Sequence, residues 1–124
     1  MKNNLQLFLT LAALIFVLAA DNFAQAKTGG YKKLAVTDVG VVAAADFAAR
    51  MQGEKDSAEI TLQSVEKAER QTVAGTNYKL CVEVFRIEAG DDVEVRQLIQ
   101  IVVFRNLKKQ FTLKSWEETA DCGE

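Results

Sequence analysis

Residues 71–75, Gln-Thr-Val-Ala-Gly, place small apolar side chains where a hairpin turn is expected. Hairpins of soluble proteins usually turn on polar pairs such as Asn-Gly. Val73 and Ala74 offer apolar area without bulk, and Gly75 permits a backbone angle or a close approach that a side chain would forbid. Gln71 adds an amide that can donate and accept hydrogen bonds. This pattern suits non-covalent binding in a narrow apolar cleft, and an ordinary turn is the alternative.

Side chains suited to covalent or metal-dependent catalysis are scarce. The chain has no histidine, which removes Ser-His and Cys-His pairs and the commonest metal ligand. The pair Asp91-Asp92 is expected to be a solvated turn, because no third metal ligand is evident beside it. Most carboxylates fall at solvent-facing positions. We therefore expect no cofactor, no metal and no enzymatic activity, with a small enzyme on a helix-wrapped sheet as the alternative.

The two cysteines, Cys81 and Cys122, lie far outside any Cys-x-x-Cys spacing. In an oxidising compartment two cysteines suggest one disulfide, and two free thiols are the alternative. Cys81 has the opposite parity to its strand neighbours Leu80 and Val82, so it should face away from the helix described below. Cys122 lies beyond the last predicted strand, so a bridge to Cys81 requires the tail to fold back.

The N-terminal residues 1–26 have the pattern of a signal peptide. A short basic region precedes an apolar run over residues 5–20, and Ala-Gln-Ala at 24–26 predicts cleavage after Ala26. A retained membrane anchor is the alternative. Residues 27–124 then form one small secreted domain, extracellular, periplasmic or lumenal according to the organism. The net charge of −2 gives no electrostatic case for nucleic acid or for an acidic membrane surface.

One helix is expected near the start of this domain, after a flexible trunk and short strand over residues 27–36. Asp38 is a suitable N-cap, a helical period runs from 39 to 52, and Gly53 is the expected stop. Asp46 and Arg50 lie opposite the apolar side of this helix. That apolar side consists of Val41, Ala44, Ala45, Phe47, Ala48 and Met51.

The rest of the chain has the alternation of β-strands. Strands are expected over 57–69, with a bulge near Ser64-Val65, and over 76–89, 93–104 and 111–116, before a solvated tail over 117–124. Tyr78, Leu80, Val82 and Val84 share one face of the second of these strands. The fold class is α+β, a four- to five-stranded antiparallel sheet wrapped around one α-helix. Strand counting puts the turns at 69–76 and 105–110 at the same end of the sheet, and three irregular segments meet there if the trunk also runs past that end.

The trunk glycines, the helix and the first hairpin turn follow one another in the order found in the cystatins, the reversible inhibitors of papain-like cysteine proteases, and their sequences resemble those of that family. Gly29-Gly30 is similar to the glycine of the cystatin trunk, and residues 44–52 resemble the family helix. Residues 71–75 match the family signature Gln-x-Val-x-Gly in the first hairpin loop. The resemblance covers nearly all of residues 27–124.

Two features depart from the cystatin pattern. Cystatins usually carry Pro-Trp at the tip of the second hairpin, and the corresponding residues here are Asn106-Leu107. Trp116 lies too late to be that tryptophan and is expected to be a partly buried residue of the sheet. Cys81 and Cys122 do not match the two-disulfide pattern of secreted animal members.

The resemblance implies occlusion of a protease cleft by the trunk and two hairpin loops, without acylation. A secreted binding or structural protein that has lost inhibition is the alternative. A monomer is expected, with a dimer that exchanges its first hairpin region as a second possibility. The residues that the resemblance assigns to protease binding are Gly29, Gly30, Gln71, Thr72, Val73, Ala74, Gly75, Asn106 and Leu107.

Overall fold

The computed structural model describes residues 30–123, which contain one helix and one sheet. The five strands pair antiparallel in chain order, and the helix packs on one face of the sheet. The predicted α+β class is therefore confirmed, with five strands. The predicted leader, residues 1–26, lies outside the described residues. The elements are β1 (Lys32–Lys33), α1 (Val39–Asp56), β2 (Ala58–Val73), β3 (Gly75–Glu88), β4 (Glu94–Arg105) and β5 (Phe111–Thr119).

Helix α1 begins where its sequence predicts and ends later. The Asp38 carboxylate accepts hydrogen bonds from the backbone N–H groups of Gly40 and Val41, at 2.9 and 3.3 Å, which completes the expected N-cap. The predicted stop at Gly53 is wrong, because the helix continues to Asp56 and ends at Ser57, whose φ of 51° is left-handed. Gly53 is instead buried, and a Cβ there would lie 2.9 Å from the backbone oxygen of the first residue of β2.

The core lies between the alanine-rich side of α1 and the inner face of the sheet. Small helix side chains let the strands come close, and branched side chains of β3 and β4 fill the space between them. Each such fully buried Val, Leu or Ile contributes about 1.5–3 kcal/mol relative to its exposed state. Two predicted core residues are less buried: Phe47 is half-buried and Met51 is exposed. The buried cluster contains Val41, Ala44, Ala45, Ala48, Ala68, Tyr78, Leu80, Val82, Val84, Ile99, Ile101 and Val103.

The sheet confirms the predicted bulge in β2 and extends β5. The register between β2 and β3 shifts between Leu62 and Ser64 and again between Val65 and Lys67, as the break in alternation indicates. Strand β5 continues to Thr119, so the first residues of the predicted solvated tail are paired with β4. Trp116 pairs with Ile101 and is a half-buried sheet residue, as predicted.

A disulfide joins β3 to the C-terminal tail. Cys81 and Cys122 are bonded, with their Cα atoms 5.6 Å apart. Cys81 is buried but lies outside the core cluster that contains its neighbours Leu80 and Val82, as expected of the face away from the helix. Because Cys81 pairs with Gln100 on β4, the tail must fold back across β4 to reach it. The tail stays largely exposed, as predicted, although its first residues are paired with β4 and Cys122 is bonded to Cys81.

The C-terminal end of α1 is attached to β3 by charged groups. One Nη of Arg86 donates to the Asp56 carboxylate at 2.9 Å, and its Nε donates to Glu88. The Gln52 side-chain amide donates to the same Asp56 oxygen at 2.8 Å. These hydrogen bonds, first from Gln52 and then from Arg86, lower the pKa of Asp56. The pKa of Arg86 is raised, chiefly by Glu88.

Candidate functional site

The tip of the first hairpin is narrow and ordered. Val73 pairs with Gly75, so Ala74 alone lies between the paired strands. The side chains of Thr72 and Ala74 are exposed, and Val73 is half-buried. Gly75 has a φ of 121°, which residues with a side chain rarely adopt. The sequence therefore forms a thin edge of small side chains, as its composition predicts.

The base of this tip is held by two contacts. The Gln71 Oε1 accepts a hydrogen bond from the side-chain amide of Asn77 on the paired strand, at 3.1 Å. On the other side, Gly75 lies directly against β4: a Cβ at this position would lie 2.8 Å from the Phe104 ring and still closer to the carbonyl oxygen of Arg105. The glycine thus lets the first hairpin lie against the strand that leads into the second turn.

The second turn, Asn106 to Gln110, is organised by the side chain of Asn106. Its Oδ1 accepts from the backbone N–H groups of Lys108 and Gln110, both at 2.9 Å, and its Nδ2 donates to the Gln110 side chain at 3.0 Å. Lys109 has a left-handed φ of 63° in the same turn. The Asn106 side chain therefore stabilises the turn, a role that the sequence analysis did not predict.

Leu107 is the exposed apolar residue of this turn, with 81% of its surface accessible. An isolated exposed leucine is common on protein surfaces. Here, however, the residue lies at the same end of the sheet as Ala74, because Thr76 after the first tip pairs with Arg105 before the second turn. The two hairpin ends therefore form one edge, as strand counting predicts.

The described part of the trunk runs beside the same edge. Lys32 pairs with Arg70, three residues before Val73, so residues 30 and 31 extend toward the first tip. Gly30 is exposed and has no atom near the position of a Cβ, and Gly29 lies outside the described residues. Tyr31, which the sequence analysis did not single out, has the Nζ of Lys79 at 5.6 Å from its ring centroid.

Asn77 and Phe104 are further contributors that the sequence analysis missed. Asn77 is visible in the sequence as a polar residue six positions after Gln71, which is the cross-strand spacing of a tight hairpin. Phe104 has no comparable signal, because its role depends on how closely β3 approaches β4.

The edge presents small, apolar and basic side chains to solvent. The exposed side chains at the two tips include Thr72, Ala74, Leu107, Lys108 and Lys109. Within residues 30–123, no group of three or more Cys, Asp or Glu side chains could hold a metal ion. Asp91, at the opposite end of the sheet, accepts from the backbone N–H groups of Asp92 and Val93, which makes the predicted turn. No helix within 30–123 is long and apolar enough to cross a membrane.

Comparisons with known proteins concern the architecture. No protein-family model and no curated protein sequence matches the chain. A solved structure of a salivary cystatin from the soft tick Ornithodoros moubata is similar, with 23% identity over 75% of this chain and 99% of that one, at a TM-score of 0.60. The structure of Al-CPI has 21% identity over 73% and 100% of the two chains, at a TM-score of 0.57.

A third similar structure is that of dimeric human cystatin F. It has 18% identity over 77% of this chain and 90% of that one, at a TM-score of 0.57. The alignment covers 90% or more of each of the three solved chains. Because the identities are below 25%, the similarity concerns the architecture alone. One helix, a five-stranded meander around it and a Gln-x-Val-x-Gly hairpin tip occur here in one chain, which has the fold of the cystatins.

Proposed function

We propose that residues 27–124 form a reversible, non-covalent inhibitor of papain-like cysteine proteases. The observation that carries this proposal is the edge at which the thin tip Val73–Gly75 and the exposed Leu107 lie together. A protease cleft is built to hold an extended chain, and a preformed narrow edge enters it with little loss of conformational entropy. The cystatin fold supports the proposal, since the signature residues fall on the tip of the first hairpin.

The residues of the edge have separate roles in this proposal. Thr72, Val73 and Ala74 contact the cleft walls with small side chains. Gly75 permits the close packing that sets the angle of the tip, and Gln71 holds its base through Asn77. Leu107 adds an apolar contact, while Asn106 acts by shaping the turn. The trunk at Gly29-Gly30 lies across the other side of the cleft.

We also propose that the chain is secreted after removal of residues 1–26. The disulfide between Cys81 and Cys122 supports an oxidising compartment, since such bonds seldom persist where thiols are kept reduced. The active form is a monomer, because the two tips are complete within one chain. Equilibrium sedimentation across a hundredfold concentration range tests this, and a dimer at low concentration contradicts it.

A secreted binding protein without inhibitory activity is the second candidate. It is favoured by Leu107, whose side chain offers less apolar area than the tryptophan usual at this tip in cystatins. In that case the edge contacts another protein, and no protease is inhibited.

The experiment that separates the two candidates is a paired charge substitution. Val73→Asp places a carboxylate on the tip, and Val93→Asp places the same carboxylate on an exposed position at the opposite end of the sheet. We expect residues 27–124 and the Val93→Asp variant to inhibit papain equally, and the Val73→Asp variant to lose inhibition at least a hundredfold. Equal inhibition by all three chains contradicts the assigned tip, and none by the folded unsubstituted chain contradicts the function.

A further inference from the structure

The charged side chains are divided unequally between the two ends of the molecule. We define the loop end as residues 30–33, 69–79 and 102–115, the rows of the sheet nearest the two turns. The loop end has eight basic residues and one acidic residue, a net charge of +7, whereas the rest of residues 30–123 has five basic and fourteen acidic, a net charge of −9. The eight basic residues are Lys32, Lys33, Arg70, Lys79, Arg105, Lys108, Lys109 and Lys114.

The positive charge of the loop end is not neutralised within the described chain. None of the eight basic residues forms an ion pair with a residue of 30–123. Three of them lie over aromatic rings, at 5.6 to 5.9 Å from the ring centroids, which leaves their charge in place. Glu69, the acidic residue of the loop end, is paired with Lys67 at 3.4 Å.

Some of the acidic residues outside the loop end are already paired with basic residues there. Arg86 and Arg96, outside the loop end, both form ion pairs with glutamates or aspartates. The acidic residue of the helix nearest the loop end is Asp38, since Gly40 lies against the hydroxyl of Tyr78. The Asp38 carboxylate accepts two backbone hydrogen bonds there, and counting it still leaves the loop end strongly positive.

The basic residues surround the two tips. Lys108 and Lys109 follow Leu107 directly, Arg70 precedes Gln71, and Lys32 lies opposite Arg70 on β1. A polyanion-binding surface needs only a cluster of cations, whereas here exposed small and apolar residues occupy the centre and the cations lie around them. This arrangement is that of a protein interface with a charged rim.

From this placement we propose that the partner is a papain-like protease whose cleft is flanked by acidic residues. The basic residues around the two tips attract those acidic residues before the two proteins come into contact. The inference rests on the proposed function and adds the charge of its target. Complementary rim charges act mainly on the association rate, which they raise by about 10- to 1000-fold at low salt. Their range is about 10 Å at 0.1 M salt and about 3 Å at 1 M, so the effect disappears in concentrated salt.

The test compares two forms of one protease. Papain is used as prepared and after succinylation of its surface lysines, which replaces positive charges with carboxylates. Association with residues 27–124 is followed by stopped flow at low salt and at 1 M NaCl, and turnover of a small peptide substrate shows that both papain forms are active. We expect succinylated papain to associate about tenfold faster at low salt and within about twofold at 1 M.

Two sets of substitutions locate the effect. Lys108→Glu with Lys109→Glu reverses two rim charges and should remove most of the gain at low salt. Adding Asp92→Lys and Glu94→Lys, at the opposite end, restores the net charge of the chain without restoring the rim, and the association should stay slow. Recovery of the fast rate in this fourfold variant overturns the proposal, because net charge alone then governs association.

The remaining outcomes distinguish failure of the proposed acidic partner from failure of the proposed inhibitory function. If neither papain form is inhibited at any salt concentration, the proposed function fails, and this partner with it. If both papain forms are inhibited and the association rate depends neither on succinylation nor on salt, the inhibitory function is supported and the acidic partner is wrong. Salt-independent inhibition together with retention on heparin in 0.15 M NaCl overturns the proposal in favour of a polyanion.

Discussion

The carbonyl oxygen of Arg105 lies in the space that a side chain on Gly75 would occupy. The two residues belong to different hairpins, so the backbone of one tip is packed directly against the strand that leads to the other. The glycine in the signature Gln-x-Val-x-Gly therefore has a reason within the fold itself, apart from any contact with a protease. It fixes the distance between the two hairpin ends.

Gly75→Ala is expected to destabilise the protein and to displace the tip. The new Cβ meets the Phe104 ring and the Arg105 carbonyl, and a φ of 121° is strained for alanine, so we expect a loss of about 2–4 kcal/mol in the free energy of unfolding. Urea denaturation measures it. Gly90→Ala is the control, since Gly90 also has a positive φ but no atom within 4 Å of its Cβ position. Equal losses for both variants contradict the role of the close contact.

Leu107→Trp is expected to strengthen inhibition of papain. Leu107 is 81% exposed at the tip of the second turn, so a larger ring adds apolar area to the interface without disturbing the core. We expect a gain of about 1–2 kcal/mol, which is a five- to thirtyfold lower inhibition constant and is found mainly in a slower dissociation rate. Leu107→Ala should act in the opposite direction. An unchanged inhibition constant in both variants places Leu107 outside the interface.

Removal of the disulfide is expected to reduce stability without loss of inhibition. The bond between Cys81 and Cys122 closes a loop of 41 residues and fastens the tail to the face of the sheet away from the helix. A loop of this length contributes about 2–4 kcal/mol to the free energy of unfolding. Urea denaturation of the double variant Cys81→Ala, Cys122→Ala measures the loss of stability. Titration of papain with the same variant, at urea concentrations where it is folded, shows whether the edge still inhibits. Loss of inhibition by the folded variant would show that the tail also positions the tips.

Acid is expected to weaken the attachment of α1 to β3. The pKa of Asp56 is lowered in the folded protein by hydrogen bonds from Gln52 and Arg86, so its stabilising effect is present above the unfolded pKa, about 3.9, and is lost as the pH falls through the folded value. Asp56→Asn should therefore flatten the dependence of the unfolding free energy on pH below about pH 4. Asp46→Asn, at an exposed position of the same helix, is the control. Identical pH profiles for the two variants contradict this role of Asp56.

The parts of the fold that follow local rules could be predicted from the sequence. The N-cap at Asp38, the bulge after Leu62 and the inward face of β3 each depend on residues close to one another in the chain. The shared end of the two hairpins followed from counting strands. The signature at 71–75 could be placed on a tip for the same reason.

Features that depend on distant residues could not be predicted. Gly53 is typical of a helix stop, yet it is needed inside α1 because the start of β2 passes close to it. Whether Cys81 and Cys122 are bonded was left open, because the sequence does not show whether the tail folds back to bring them together. Asn106 is a different case: it was assigned to binding from the resemblance, although its hydrogen bonds to Lys108 and Gln110 are local and typical of an Asn that begins a turn.

In the proposed function, the edge formed by the two tips blocks a protease cleft without being cut. The most direct measurement is titration of active papain with residues 27–124, followed by mass spectrometry of the chain recovered from the complex. We expect inhibition that ends at one chain per protease, competes with a peptide substrate and returns the chain intact on dissociation. A folded chain that leaves papain fully active, or that is recovered cleaved between residues 71 and 76, would contradict the account.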